Sequence, residues 1–161
     1  MRERFLQEAR VAARLSHPNI VAIHAVDEVS GHVFYVMSFV DGETLAQRVG
    51  REGPINAQRT TRLLREVAWA LAYAHGHGIV HRDVKPANIL IEHGSERAMV
   101  TDFGIAQAAF SPGATPMGDL IGTPEYMSPE QARGESVDGR GDLYALGAVG
   151  AVNGGDPVSA K

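Results

Sequence analysis

The ten residues from His81 to Leu90, HRDVKPANIL, constrain this chain more than any other stretch. Apolar runs on either side, GIV before and ILIE after, read as short β-type segments, yet Asp83, Lys85 and Asn88 stand between them. Pro86 has no N–H to donate to a ladder and interrupts regular pairing. The polar residues therefore belong to a loop between short strands. Asp102 follows at the end of a further β-rich run, AMVTDF, just before a glycine that permits a sharp turn.

Two carboxylates, an amide oxygen and an ammonium converging on one spot suit a divalent metal with phosphate. Mg²⁺ takes hard oxygen ligands and is usually completed by substrate phosphates and water. The lysine would neutralise a transferring phosphoryl group, and the remaining carboxylate would orient an incoming hydroxyl. Each residue taken singly is better explained as part of a capped surface loop; the weight lies in the combination.

Around this loop the chain reads as α+β. Phe5, Glu8, Ala12 and Leu15 share one face of a helix over Arg4 to Leu15, which SHPN ends. Ile20–Val26 and His32–Val40 form an antiparallel hairpin, and DGETLAQRVG is a polar turn leading into a short helix. The longest helical pattern runs from Asn56 to Ala74, with Leu63, Val67 and Leu71 flanked by Leu64, Ala68 and Ala72. Ile105 to Pro124 has no useful periodicity, and a loop of that length inside a domain is usually functional or disordered. GDLYALGAV opens a last apolar helix, which the glycines of NGGDPVSAK should stop almost at once.

Composition removes several classes of function. The 161 residues suffice for one domain, and 44% hydrophobic with 21% charged residues is ordinary for a soluble protein. A net charge of −4 gives no electrostatic case for nucleic acid or an anionic membrane. The absence of cysteine excludes disulfides and thiolate chemistry. The longest apolar run, AWALAYA, is too short to span a bilayer, and the charged N-terminus lacks a signal-peptide core. A cytoplasmic location is the expectation, with a membrane-anchored full-length parent left open. His75, His77 and His81 are spaced as helix-end and loop residues rather than as metal ligands.

HRDVKPANIL, TDFG and GTPEYMSPE, in this order and spacing, resemble the catalytic core of protein kinases, most closely the bacterial receptor-type serine/threonine kinases. The resemblance implies a partial kinase-like fold: residues 1–40 as N-lobe remnant and hinge, 41–149 as part of the helical C-lobe, and 150–161 as an atypical tail. It implies ATP with Mg²⁺ or Mn²⁺, transfer to Ser and Thr hydroxyls of protein substrates, and kinase dimers for transfer in trans.

Residue by residue, the resemblance makes Asp83 the catalytic carboxylate and Lys85 its serine/threonine-kinase partner, with Asn88 and Asp102 holding the metal. Arg82 implies control by phosphorylation of the segment that follows Asp102. His81 and Phe103 become packing residues, and Asp142 a hydrogen-bond acceptor for the loop backbone. Leu90 lies under the adenine, Met37 guards the back of its pocket, and Ser38, Phe39 and Val40 offer backbone bonds to the base. Glu8 pairs with a lysine of an earlier strand. Ser111, Thr115 and Thr123 are the activation-segment hydroxyls, Thr115 the better phosphorylation candidate and Thr123 the residue touching Asp83 and Lys85. No glycine-rich loop or strand lysine precedes the first helix, so a truncated form with weak or no activity is expected. The alternative is a non-catalytic pseudokinase or interaction module.

Overall fold

In the computed structural model, residues 11–29, 32–103 and 124–153 are described. The chain enters through Val11 and Ala12, the end of a helix, and turns at residues 13–14. Two strands follow, β1 (Ile23–Val29) and β2 (His32–Met37), paired antiparallel as expected from the hairpin pattern. Their faces leave Val29, Phe34 and Val36 exposed.

A second sheet has the order β3-β4-β5, from β3 (Gly42–Thr44), β4 (Ile89–Glu92) and β5 (Ala98–Val100), all antiparallel. The segment entering β1 is stitched to it. Val100 N–H donates to Asn19 O at 2.8 Å, and Val21 N–H donates to Val100 O at 2.9 Å. The buried Asn19 amide adds a bond to Ala98 O at 2.8 Å. Burying that amide is tolerable because its donor is satisfied.

Helix α1 (Leu45–Glu52) starts where Thr44 and Gln47 form a capping box, each side chain meeting the other's backbone N–H. Helix α2 (Ala57–Gly76) is capped by Asn56, whose side-chain oxygen accepts from Arg59 N–H at 2.9 Å. Leu63, Val67 and Leu71 are buried as the periodicity requires, with Leu64 and Ala68 half-buried. Ala72 is exposed, and Ala70 and Ala74 fill the core face in its place. Each fully buried leucine there contributes about 1.5–3 kcal/mol over an exposed one. After a 3₁₀ turn at Pro124–Tyr126 come α3 (Pro129–Ala132) and α4 (Gly139–Asn153), the latter packed across α2.

Two expectations need correction. GIVH forms no strand: Ile79 N–H donates to Ala74 O at the end of α2, and His81 N–H donates to the Asp142 carboxylate, so no ladder is left to make. GET, expected within a polar turn, forms strand β3, because its backbone pairs with β4. Helix α4 reaches Asn153, the residue at which NGGDPVSAK begins. Asn153 is buried, its amide donating to Val149 O at 2.6 Å and its own carbonyl accepting from Ile55 N–H at 2.9 Å. Gly150 gives Leu64 the room it occupies against the helix. Tertiary contacts here outweigh the low helix propensity of glycine and asparagine.

Candidate active site

The polar loop sits between the end of α2 and β4. A 3₁₀ turn over Pro86–Asn88 carries it into the strand, with Pro86 at a first position where no N–H is needed. Lys85 Nζ lies 2.8 Å from Asp83 Oδ2. The Asn88 amide donates to the same Oδ2 at 2.9 Å and to Asp83 O at 2.8 Å. Two donors thus hold one carboxylate oxygen. Asp83 Oδ1 and Asn88 Oδ1 keep no hydrogen-bond partner among the described residues.

The next strand end is tied to this loop at two points. Thr101 N–H donates to Asn88 O at 3.1 Å, and Thr101 O accepts from His81 Nε2 at 2.9 Å. A carbonyl can only accept, so the proton sits on Nε2. His81 Nδ1 then accepts from Asp83 N–H at 3.2 Å, which the neutral ring alone can do. The fully buried His81 ring packs on Phe103 with centroids 4.7 Å apart. The two residues expected to link the loops do touch.

Asp102 follows Thr101 with φ at +64°, and Arg82 stands at +67°. Non-glycine residues in this left-handed region cost about 1–2 kcal/mol each, so surrounding bonds must hold them there. For Arg82 those bonds are visible. Its N–H donates to Asp142 Oδ1 at 2.7 Å and its carbonyl accepts from Gln131 Nε2 at 2.7 Å. Asp142, 1% exposed, takes a further N–H from His81 and a bond from His75 Nε2 at 2.7 Å. Three donors on one buried carboxylate compensate its desolvation.

Gln131 was not singled out from the sequence, and His75 only as a helix-end residue that is no metal ligand. Gln131 could have been found: SPEQ carries the Ser-x-x-Gln spacing of a capping box, and Ser128 and Gln131 form one. That box fixes the glutamine beside Arg82. His75 had only its place at a helix end, and its partner is distant in sequence.

Among the other expected residues, Met37 ends β2 and is 38% exposed, Phe39 is 91% exposed, and Val40 is half-buried. Ser38 N–H is taken by Ala22 O at 2.9 Å, which removes it as a donor to a base. Leu90 lies half-buried on β4 between Thr44 and Met99. Tyr35 of β2 has its hydroxyl pushed above the usual range, by burial and secondarily by the Asp102 charge. Tyr35 and the Asp102 carboxylate therefore lie within electrostatic reach of each other. Glu8, Ser111, Thr115 and Thr123 lie outside the described residues.

A small sheet, a catalytic-type loop entering it, and a buried aspartate from a later helix holding that loop make up a protein-kinase-like fold. A mutant form of the Mycobacterium tuberculosis PknI kinase domain superposes with a TM-score of 0.74 at 34% identity, covering 98% of this chain and 59% of that one. The protein kinase domain family matches residues 1–157. Serine/threonine-protein kinase pkn3 of Myxococcus xanthus is 44% identical over 91% of this chain and 28% of its own length. PknB of Mycolicibacterium smegmatis is 47% identical over 91% of this chain and 24% of its own length. The chain belongs to the protein kinase domain family and spans about a quarter of the length of these curated relatives.

Proposed function

We propose that this chain carries the phosphoryl-transfer centre of a serine/threonine protein kinase, which moves the γ-phosphoryl group of ATP to Ser and Thr hydroxyls of proteins. The observation that carries it is the division of labour at Asp83. Lys85 and Asn88 hold Oδ2, while Oδ1 stays without a described partner, the oxygen that would accept the proton of an incoming hydroxyl. Lys85 Nζ, 2.8 Å from the same carboxylate, would steady the departing charge.

The donor set suits Mg²⁺ or Mn²⁺. Asn88 spends its amide nitrogen on Asp83 and so turns its oxygen free, and the Asp102 carboxylate has no hydrogen bond to a described residue. Both are hard oxygens. Bound there, the cation would neutralise phosphate charge. Met37, Phe39, Val40 and Leu90 would line the adenine side, and Glu8 would act through a lysine toward the phosphates. Residues 1–149 form the kinase portion in this reading and 150–161 a tail. Ser111, Thr115 and Thr123 supply the regulatory hydroxyls, and pairing of two kinases would allow transfer in trans.

The test follows labelled phosphate from ATP to the chain itself and to a generic basic protein, beside Asp83→Asn. Transfer lost in the variant supports the reading. No transfer in either, with ATP and Mg²⁺ failing to raise the melting temperature, overturns it for this chain in favour of a non-catalytic module.

A further inference from the structure

On the N-terminal half of α2, Arg59, Arg62, Arg65 and Trp69 are all exposed and recur at the spacing of one helix face. Arg62 is paired with Glu66 at 2.9 Å and donates to Ser95 O at 3.2 Å. Arg59 and Arg65 have no ion pair among the described residues. Arg65 instead lies over the Trp69 ring, 5.2 Å from its centroid, which leaves the indole 55% exposed.

The acidic neighbours are already engaged: Glu96 by Arg48 at 2.9 Å, and Glu52 by Arg51 at 2.8 Å. Glu96 also feels Arg59 at longer range. The positive end of the α2 dipole adds to the same side. A local excess of positive charge on a chain of net charge −4 stands out.

Beside the stripe opens a cavity of about 360 Å³ that shares Arg59 and Arg62 with it. Pro54, Ile55, Leu63 and Ile91 give it apolar walls. We infer that this face, the Arg59–Arg62–Arg65–Trp69 stripe with its cavity, docks an acidic peptide segment of a partner protein. An apolar side chain of the segment fills the cavity, and flanking carboxylates meet Arg59 and Arg65.

Charge complementarity decides the occupant: Glu52 and Glu96 also line the cavity but are already paired with arginines, so Arg59 and Arg65, without an ion pair among the described residues, favour an acidic segment. Along α2 the surface lies about 24 Å from His75 at Arg59 and about 9 Å at Trp69. Docking there needs no phosphoryl transfer, so the inference stands or falls apart from the proposed activity.

The chain is titrated, without ATP, into a short dye-labelled peptide with a central leucine in a run of Asp and Glu. Anisotropy and the emission of Trp69, the sole tryptophan, are read together. Saturable binding that weakens with salt is expected, with a loss of about tenfold or more in Arg59→Glu/Arg65→Glu. Both positions are exposed, so a matching melting curve verifies the variant, and Arg59→Gln/Arg65→Gln replaces it if that curve shifts. No saturable binding overturns the inference, as does equal binding by the verified variant. Competition as strong from oligouridine or phosphatidylserine vesicles as from unlabelled peptide also overturns it, since the face would then be a general polyanion surface.

Discussion

Asp142 holds His81 across 61 positions of sequence: its Oδ2 accepts the His81 N–H at 2.8 Å, and the same carboxylate fixes Arg82 in a left-handed conformation. The loop that carries Asp83 is therefore set in place from α4 rather than by its own strands. Asp142→Ala leaves one buried and one part-buried N–H group without an acceptor, and charged acceptors are worth about 1.5–3 kcal/mol per bond. A loss of about 3–5 kcal/mol in a urea melt is expected, a large share of a total of about 5–15 kcal/mol. Gln131→Ala removes two neutral bonds, the one to Arg82 O and the capping-box bond from Ser128 N–H, and should cost only about 1–3 kcal/mol. Equal losses in the two variants would sink this ranking.

The loop was legible in the sequence because Pro86 and the alternation of polar with apolar residues forbid anything else there. The β1–β2 hairpin, β4, β5 and the α2 stripe followed from periodicity in the same way, whereas β3 did not, because GET reads locally as part of a polar turn. Asp142 as the acceptor for the loop backbone came from the resemblance alone and is borne out, but His75 and Gln131 act over distances that leave no periodic trace and were not legible as its helpers. Strand β3 misled for a related reason. Gly42 and its polar neighbours argue locally for a turn, but their backbone is set by pairing with Leu90–Glu92, far away in sequence.

Two glycines of α4 make opposite predictions. A Cβ at Gly139 would lie 2.6 Å from His75 Nδ1 and 2.7 Å from its Cε1, and that ring is pinned by Asp142. Gly139→Ala should therefore destabilise, by about 1–3 kcal/mol, despite alanine's better helix propensity. At Gly150 the close atom is Leu64 Cδ1 at 2.8 Å, the far end of a half-buried, flexible side chain. There the propensity gain of about 1 kcal/mol offsets the displacement, and thermal melts of Gly150→Ala should shift little.

Acid should unfold the protein in two stages. His17 has its pKa lowered from 6.5 by burial, and its Nδ1 accepts Asn19 N–H at 3.1 Å. The unfolded chain binds that proton more readily, so stability falls as pH drops below about 6.5. Glu96 and Glu43 are held below their ordinary 4.5, chiefly by hydrogen bonds from Arg48 and from Arg51 respectively. Their contribution is full above 4.5 and disappears as pH falls through the depressed folded values. Melting temperature against pH should show both declines, and His17→Gln should remove the upper one alone.

Asn88→Asp tests the oxygen site without reading activity. The substitution replaces a donor that lies 2.9 Å from Asp83 Oδ2 by a second carboxylate, so like charges face each other. In metal-free buffer at neutral pH the variant should lose about 1–3 kcal/mol, the cost of a broken bond plus repulsion. Lowering the pH protonates one of the pair and should restore part of that loss. Added Mg²⁺ should restore more, since a cation relieves two facing carboxylates better than a carboxylate and an amide. A melting temperature that rises with Mg²⁺ further in Asn88→Asp than in the parent is the expected result. An equal response of the two chains would place the cation elsewhere.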